Sequence, residues 1–112
     1  MKRIEAIIKC FKFDAVKEAL MEIGVVGMTV IEVKGFGRQK GHTEIYRGSE
    51  YTVDFIPKAL ILLFATDEAA PQIVETIITS SRTGKTGDGV VIISEIAHAF
   101  QIRTGESGEV AL

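Results

Sequence analysis

With 112 residues, 46% of them hydrophobic and 25% charged, the chain is long enough for one domain with a real core and too short for two. A formal net charge of −2 excludes a broadly basic surface made for polyanions, which favours a small-molecule or protein partner over nucleic acid. The single cysteine, Cys10, excludes an internal disulfide and a cysteine-rich metal cluster.

Ile4, Ala6, Ile8 and Cys10 alternate with Glu5, Ile7 and Lys9, the period of a strand with one fully apolar face. Glu5 and Lys9 also interrupt the apolar run that a signal peptide needs. Asp14 can cap a helix whose apolar face is Val16, Ala19, Leu20 and Ile23, and Gly24 supplies its stop. Val25 to Val33, rich in Val, Ile and Thr, reads as a second strand. It runs into Lys34 to Tyr51, a glycine-punctuated charged segment longer than ordinary connections, which marks it as functional.

Tyr51 to Phe55 and Ala59 to Ala65 read as a β-prone stretch interrupted by Pro57, tolerated best at an edge or irregularity. Thr66, Asp67 and Glu68 place short polar and acidic residues at a helix start, and Ala70, Ile73, Val74, Ile77 and Ile78 form its apolar face. Arg82 to Gly89 is a second loop and Val90 to Ile93 a short buried strand. Ala97 to Ile102 is expected as a last edge strand, before a polar tail from Arg103 to Leu112. The longest apolar runs, Ala59 to Ala65 and Val90 to Ile93, are far too short to cross a bilayer, so a cytoplasmic protein without membrane insertion is expected.

This order predicts an α+β domain, a ferredoxin-like split βαβ sandwich with both helices on one face of the sheet. Leu60, Leu62 and Phe64 alternate with Ile61, Leu63 and Ala65, so this strand is apolar on both sides although helices can cover only one. A homo-oligomer with its sheets facing inward resolves that conflict, the alternative being an ordinary hydrophobic central strand with one face partly exposed.

Several motifs point to chemistry and most fall short. Gly84-Lys85-Thr86 suggests a phosphate loop, but Thr79 stands where the Walker pattern requires glycine. Backbone amides beside Arg82 and Lys85 can still form an anion-binding nest, and a purely structural turn accounts for the motif equally well. Lys34-Gly35-Phe36-Gly37 opens like an RNA-recognition signature that fails at Arg38-Gln39, where aromatic and apolar residues are required. His42 and His98 lack metal-ligand spacing, and Cys10 has no evident base, so no enzyme is expected. Lys58, following Pro57 at the head of an apolar strand, is placed to snorkel or to pair with a carboxylate.

Taken together, Ile4 to Ile8, Val16 to Leu20, Gly27 to Val30, Gly35 to Gly41, Tyr46 to Tyr51, Arg82 to Lys85 with Gly87 to Gly89, and Arg103 to Glu106 resemble the PII nitrogen-regulatory signal-transduction proteins over nearly the whole chain. The resemblance implies a single domain over 1–112 that assembles as a homotrimer, with a long protruding loop at about 37–55, a nucleotide-site loop at about 82–90 and a C-terminal loop at about 102–112. It implies competing ATP and ADP sites between subunits, lined by Ile7, Thr29, Gly35, Phe36, Gly37, Arg38, Phe64, Gly87, Asp88, Gly89 and Arg103. It implies 2-oxoglutarate bound with Mg-ATP, by Gln39, Gly41, Lys58 and Gly87, with Gln39 also serving magnesium. Targets would be an ammonium transporter, a nitrogen-metabolism enzyme or a transcription regulator. Tyr51 and Ser49 stand where some members are uridylylated or phosphorylated.

The chain departs from the family at Val90 and Gln101, where members usually carry lysine and arginine, at Leu62 and Leu60, where they carry an acid and a base, and at Cys10, where they carry proline. Losing acid and base together at Leu62 and Val90 leaves no buried charge unpaired, provided the two are close. The expected consequence is weakened or altered nucleotide sensing. The alternative is an interaction module whose nucleotide control has been lost.

Overall fold

The computed structural model describes residues 1–36, the backbone of 43–46 and 49–52, and residues 55–112. Its elements are β1 (Lys2–Lys9), α1 (Phe13–Glu22), β2 (Thr29–Gly35), β3 (Thr43–Tyr46), β4 (Ser49–Thr52), β5 (Ile56–Ala65), α2 (Ala70–Ser81) and β6 (Gly89–Glu95). The main sheet has the order β2-β5-β1-β6, with every neighbouring pair antiparallel. β1 and β2 are therefore parallel with β5 between them, and β5 and β6 are parallel with β1 between them. Two split βαβ units interleave in this way, which is the ferredoxin-like topology.

The alternation in β1 decides which side faces the helices. Ile4, Ala6 and Ile8 are buried, and so are Ala59, Ile61, Leu63 and Ala65 of β5. Val16 and Leu20 of α1 and Ala70, Ile73 and Ile77 of α2 close over them. The helical face expected from Ala70, Ile73 and Ile77 is the one that packs, with Val74 partly buried at its side. Ser81, also buried, donates its hydroxyl to the Ile77 carbonyl at 2.6 Å, so no polar atom is stranded at that end.

Helix ends follow local chemistry, with differences from expectation. α1 closes through Gly24 N–H to the Met21 carbonyl (3.1 Å) and Val25 N–H to the Leu20 carbonyl (3.0 Å), a Schellman arrangement. Val25 is thereby consumed by the cap, and β2 begins only at Thr29. At the other end α1 already includes Phe13, so Asp14 lies in the first turn, near the positive end of the helix dipole, and caps nothing. Cys10 is not a strand residue: it opens a 3₁₀ turn, Cys10–Lys12, that feeds the helix, and it is exposed. Before α2, Thr66 Oγ1 accepts from Ala69 N–H at 3.2 Å, and Pro71 follows within the first turn, where a missing N–H costs nothing.

Pro57 lies inside β5 rather than interrupting it. It pairs with Lys34 of β2, while pairing with β1 starts only at Lys58, so its missing donor spoils no rung on the β1 side. Ser49 to Thr52 belong to a separate two-stranded ladder with β3, in which Glu44 faces Tyr51 and Tyr46 faces Ser49. Gly35 is in register with Ile56, so the chain leaves β2 and re-enters β5 at neighbouring positions. The expected last edge strand is absent from the sheet. Phe100 instead bridges to Ser107, with Gln101 N–H to the Glu106 carbonyl (2.8 Å) and Gly108 N–H to the Ala99 carbonyl (2.9 Å), forming a return that closes on itself.

No helix covers the other face of the sheet among the described residues. Register places Ile31, Leu60, Ile7 and Val90 in one row across all four strands, entirely apolar. The next row reads Thr29, Leu62, Glu5 and Ile92, and Glu5 meets Arg3 of its own strand at 3.3 Å. Phe64, Val90, Ile92 and Ile31 each keep about half of their surface exposed. Val90 and Leu62 are not neighbours within the chain. β1 separates them by roughly 10 Å and they are offset by about 7 Å along the strands, so any compensation between them is not an intrachain contact.

Candidate functional site

The ends of β1, β2 and β5 and the loop preceding β6 meet at one edge of the sheet. Gly35 ends β2, and a Cβ there would sit 3.0 Å from Lys58 Cγ, so the lysine stem runs across the space a side chain would fill. Lys58 Nζ then donates to the Gly87 carbonyl at 2.7 Å. Lys58 and Lys9 face each other across the β1–β5 ladder, and both are buried.

Asp88 closes the loop on itself. One carboxylate oxygen accepts from the backbone N–H of Thr83 (2.9 Å) and of Gly84 (2.8 Å); the other accepts from the Thr83 hydroxyl (2.5 Å) and lies 3.3 Å from Lys9 Nζ. Lys9 Nζ also donates to Thr83 Oγ1 at 3.1 Å, and that oxygen accepts from Lys85 N–H at 3.2 Å. The amides beside Arg82 and Lys85 that could have nested an external anion are therefore filled by the chain's own carboxylate. Of the two readings of this motif, the structural turn describes Thr83 and Gly84.

Electrostatics follow from these contacts. The Thr83 hydroxyl, then the Thr83 and Gly84 amides and Lys9, hold the Asp88 carboxyl far below the usual carboxylate range, against the opposing effect of desolvation. Lys58 is shifted the other way for a cation: desolvation first, then the neighbouring Lys9 charge, lower its pKa, while Asp88 partly offsets them. A depressed carboxyl contributes stability above its unfolded value, about 3.9, which is lost as pH falls through the folded value. The Thr83 and Gly84 amide resonances should accordingly stay fixed from neutral pH to about 4 and move only in stronger acid. A titration of those amides with a midpoint near 3.9 would show that Asp88 is not held as described.

Gly89 brings the loop onto β1. Its φ is +108°, and a Cβ would lie 1.7 Å from the Ile7 carbonyl oxygen, so no other residue fits this contact. Ile7, Gly35, Lys58, Gly87, Asp88 and Gly89 are thus assembled at one edge. Phe36 continues from Gly35 with its ring 6.0 Å from that of Phe55. Thr29 and Phe64 lie at the far ends of β2 and β5, sharing a groove with Gly27, Met28 and Leu62; six residues of strand put Thr29 roughly 20 Å from Gly35. Arg103 sits in the C-terminal return, and among the described residues no hydrogen bond or ion pair joins it to the Lys58 edge. Gln101 turns its side chain back to accept from the Thr104 hydroxyl at 2.7 Å. Gly37, Arg38, Gln39 and Gly41 lie outside the described residues, as do the side chains of Ser49 and Tyr51.

Sequence reasoning missed Lys9 and Thr83. Lys9 reads as an ordinary polar interruption of β1, and only the register that sets it opposite Lys58 reveals it. Thr83 had a signal, a hydroxyl directly before Gly84 and within reach of an aspartate on the same short loop.

Glycine segments of a ferredoxin-like domain that converge on a buried lysine have the build of a site for binding an anion. The sequence profile described as nitrogen regulatory protein P-II matches residues 1–106. Over 112 residues and the full length of both proteins, the chain is 56% identical to the nitrogen regulatory protein P-II of Klebsiella oxytoca and 58% identical to that of Rhodobacter capsulatus. It is 55% identical, again over both full lengths, to nitrogen regulatory protein P-II 1 of Escherichia coli K12. The chain belongs to the P-II family of nitrogen-regulatory signal-transduction proteins, which are regulators and not enzymes. No helix among the described residues is long and apolar enough to cross a membrane.

Proposed function

We propose that this chain is a homotrimeric cytoplasmic sensor, a single domain over 1–112, that binds ATP or ADP between subunits and 2-oxoglutarate beside Lys58. It would relay its state to a nitrogen-metabolism protein, such as an ammonium transporter, enzyme or regulator, through the loop at about 37–55. The observation that carries this reading is the Lys58 side chain, packed on Gly35 and bonded to Gly87, which draws the two glycine segments into one place. An anionic ligand there suits a desolvated lysine with a second lysine beside it, because the ligand's charge favours the ammonium form.

The separation of Thr29 and Phe64 from that edge supports a site completed by a second subunit: one chain offers two half-sites, at opposite ends of its strands. The uncovered apolar row supports the trimer. Loops 82–90 and 102–112 would face the phosphates, with Arg103 as the remaining cation, and Gln39 and Gly41 would serve magnesium and 2-oxoglutarate. Backbone amides at Gly87 to Gly89 and the Lys58 ammonium are donors that suit an anionic effector. Ser49 and Tyr51 would be the modification candidates on the loop.

A second reading is favoured by specific residues. Val90 completes an apolar row where a phosphate contact would be expected, and the Gln101 side chain is engaged by Thr104. On that reading the protein is an interaction module without nucleotide control. Calorimetric titration with ATP, with ADP, and with Mg-ATP plus 2-oxoglutarate separates the two. The sensor reading expects saturable nucleotide binding, with 2-oxoglutarate heat only in the presence of Mg-ATP. Absence of any nucleotide heat at millimolar concentration assigns the module.

A further inference from the structure

The loop that precedes β6 is held by the side chains of Lys9, Thr83 and Asp88, of which only Asp88 is expected to line the nucleotide site. Asp88 stands between Gly87 and Gly89, yet its carboxylate turns back into its own loop, onto the Thr83 and Gly84 amides and the Thr83 hydroxyl. Lys9, from the last position of β1, braces both Asp88 and Thr83. These contacts are charge-assisted and largely sheltered: the Lys9 and Asp88 side chains are 11% and 25% exposed. They span residues 83 to 88 and tie the loop to a strand of the core.

We infer that Lys9, Asp88 and Thr83 form a positioning hub that sets the backbone of Gly87 to Gly89 and thereby controls how tightly this loop holds a nucleotide phosphate. The inference rests on the nucleotide reading above for its ligand. Asp88 acts through the backbone on either side of it and is not itself a phosphate ligand. Its carboxylate serves as an internal anion that saturates the Thr83 and Gly84 amides. What remains for an external anion is the following backbone, from Gly87 to Gly89. Lys9 neutralises the carboxylate, so the hub does not repel the phosphate it positions. A bound phosphate would therefore sense changes at Lys9 without contact with it.

The test uses the full chain and the variants Asp88→Asn, Lys9→Met, Thr83→Val and Thr83→Ser, each read in two ways. Amide exchange and chemical shifts of Thr83, Gly84, Gly87 and Gly89 are recorded without ligand, and ATP affinity is recorded by calorimetry. Asp88→Asn and Thr83→Val should expose the Thr83 and Gly84 amides, shift Gly87 and Gly89, and weaken ATP about tenfold or more, with β1 and β5 amides unchanged. Lys9→Met should do the same to a smaller degree, and Thr83→Ser, which keeps the hydroxyl, should restore both readouts. The serine and valine pair carries the test should Asp88→Asn not fold. Wild-type ATP affinity in Asp88→Asn or Thr83→Val, or wild-type exchange of the Thr83 and Gly84 amides, overturns the inference. A wild-type protein that binds no ATP overturns the nucleotide reading instead, and the amide rates alone then decide whether the hub sets the loop.

Discussion

Replacing Gly89 with alanine is expected to destabilise the protein by at least about 3 kcal/mol and to abolish the ligand binding proposed at the Lys58 edge. The new Cβ would sit 1.7 Å from the Ile7 carbonyl oxygen and 2.8 Å from its carbon, distances no side-chain rotation relieves because both partners are backbone. Strand β6 would have to lift away from β1 at Ile8, its first paired residue, and the backbone at φ +108° is itself unfavourable for alanine. Gly84→Ala is the internal comparison. That glycine also has a positive φ, +83°, but nothing lies within 4 Å of where its Cβ would go, so only the conformational cost of about 1 to 2 kcal/mol applies. Urea denaturation of the two variants isolates the steric part. If Gly89→Ala costs no more than Gly84→Ala, the close approach of loop and strand is wrong.

That glycine also shows what could and could not be read in the linear sequence. The alternation of Ile4, Ala6 and Ile8 and the spacing of Ala70, Ile73 and Ile77 report burial directly, because side-chain direction is periodic in regular elements. The interleaved sheet follows from their order. The contact of Gly89 with Ile7 does not, because 82 positions of chain separate the two and only register joins them. Lys9 is hidden for the same reason. Cys10 continues the alternation of β1 by residue type, but the chain has already turned into a 3₁₀ segment, so periodicity outlasts the strand by one position. Phe100 and Ile102 look like an edge strand, yet Gly105 and Gly108 let the segment bond to itself, and local closure wins over addition to the sheet. Gly35, Lys58 and Gly87 stood out by residue type, and the structure brings them together, whereas Thr29 and Phe64 could be grouped with them only by resemblance.

Leu60→Asp is expected to leave a folded subunit and to abolish the proposed trimer. Leu60 and Ile61 are adjacent in β5 but face opposite ways: Ile61 is fully buried under the helices, while Leu60 lies in the uncovered row between Ile31 and Ile7. In an isolated subunit the new carboxylate reaches water, so the fold loses only part of one side chain's burial, of order 1 kcal/mol. In a trimer with inward-facing sheets the same carboxylate is enclosed in every subunit by an apolar row that offers it no donor. An unpaired buried charge costs several kcal/mol, and symmetry repeats the cost three times, more than a subunit interface of ordinary strength withstands. The cations of the neighbouring row, Lys58 and Lys9, are engaged by the Gly87 carbonyl and by Asp88 and Thr83, and Arg3, four residues from Ile7 on β1, is paired with Glu5, so none of them rescues the substitution without giving up its own partner. Sedimentation should give a trimer for the wild type and a monomer for Leu60→Asp at the same micromolar concentration, with matching circular dichroism. A wild-type monomer would remove the reason for the apolar row, and a trimeric Leu60→Asp would place the subunit contact elsewhere. Nucleotide titration of the monomeric variant then addresses the divided site: with Thr29 and Phe64 supplied by no neighbour, the Gly35, Lys58 and Gly87 edge alone should bind ATP at least about tenfold more weakly than the assembled protein.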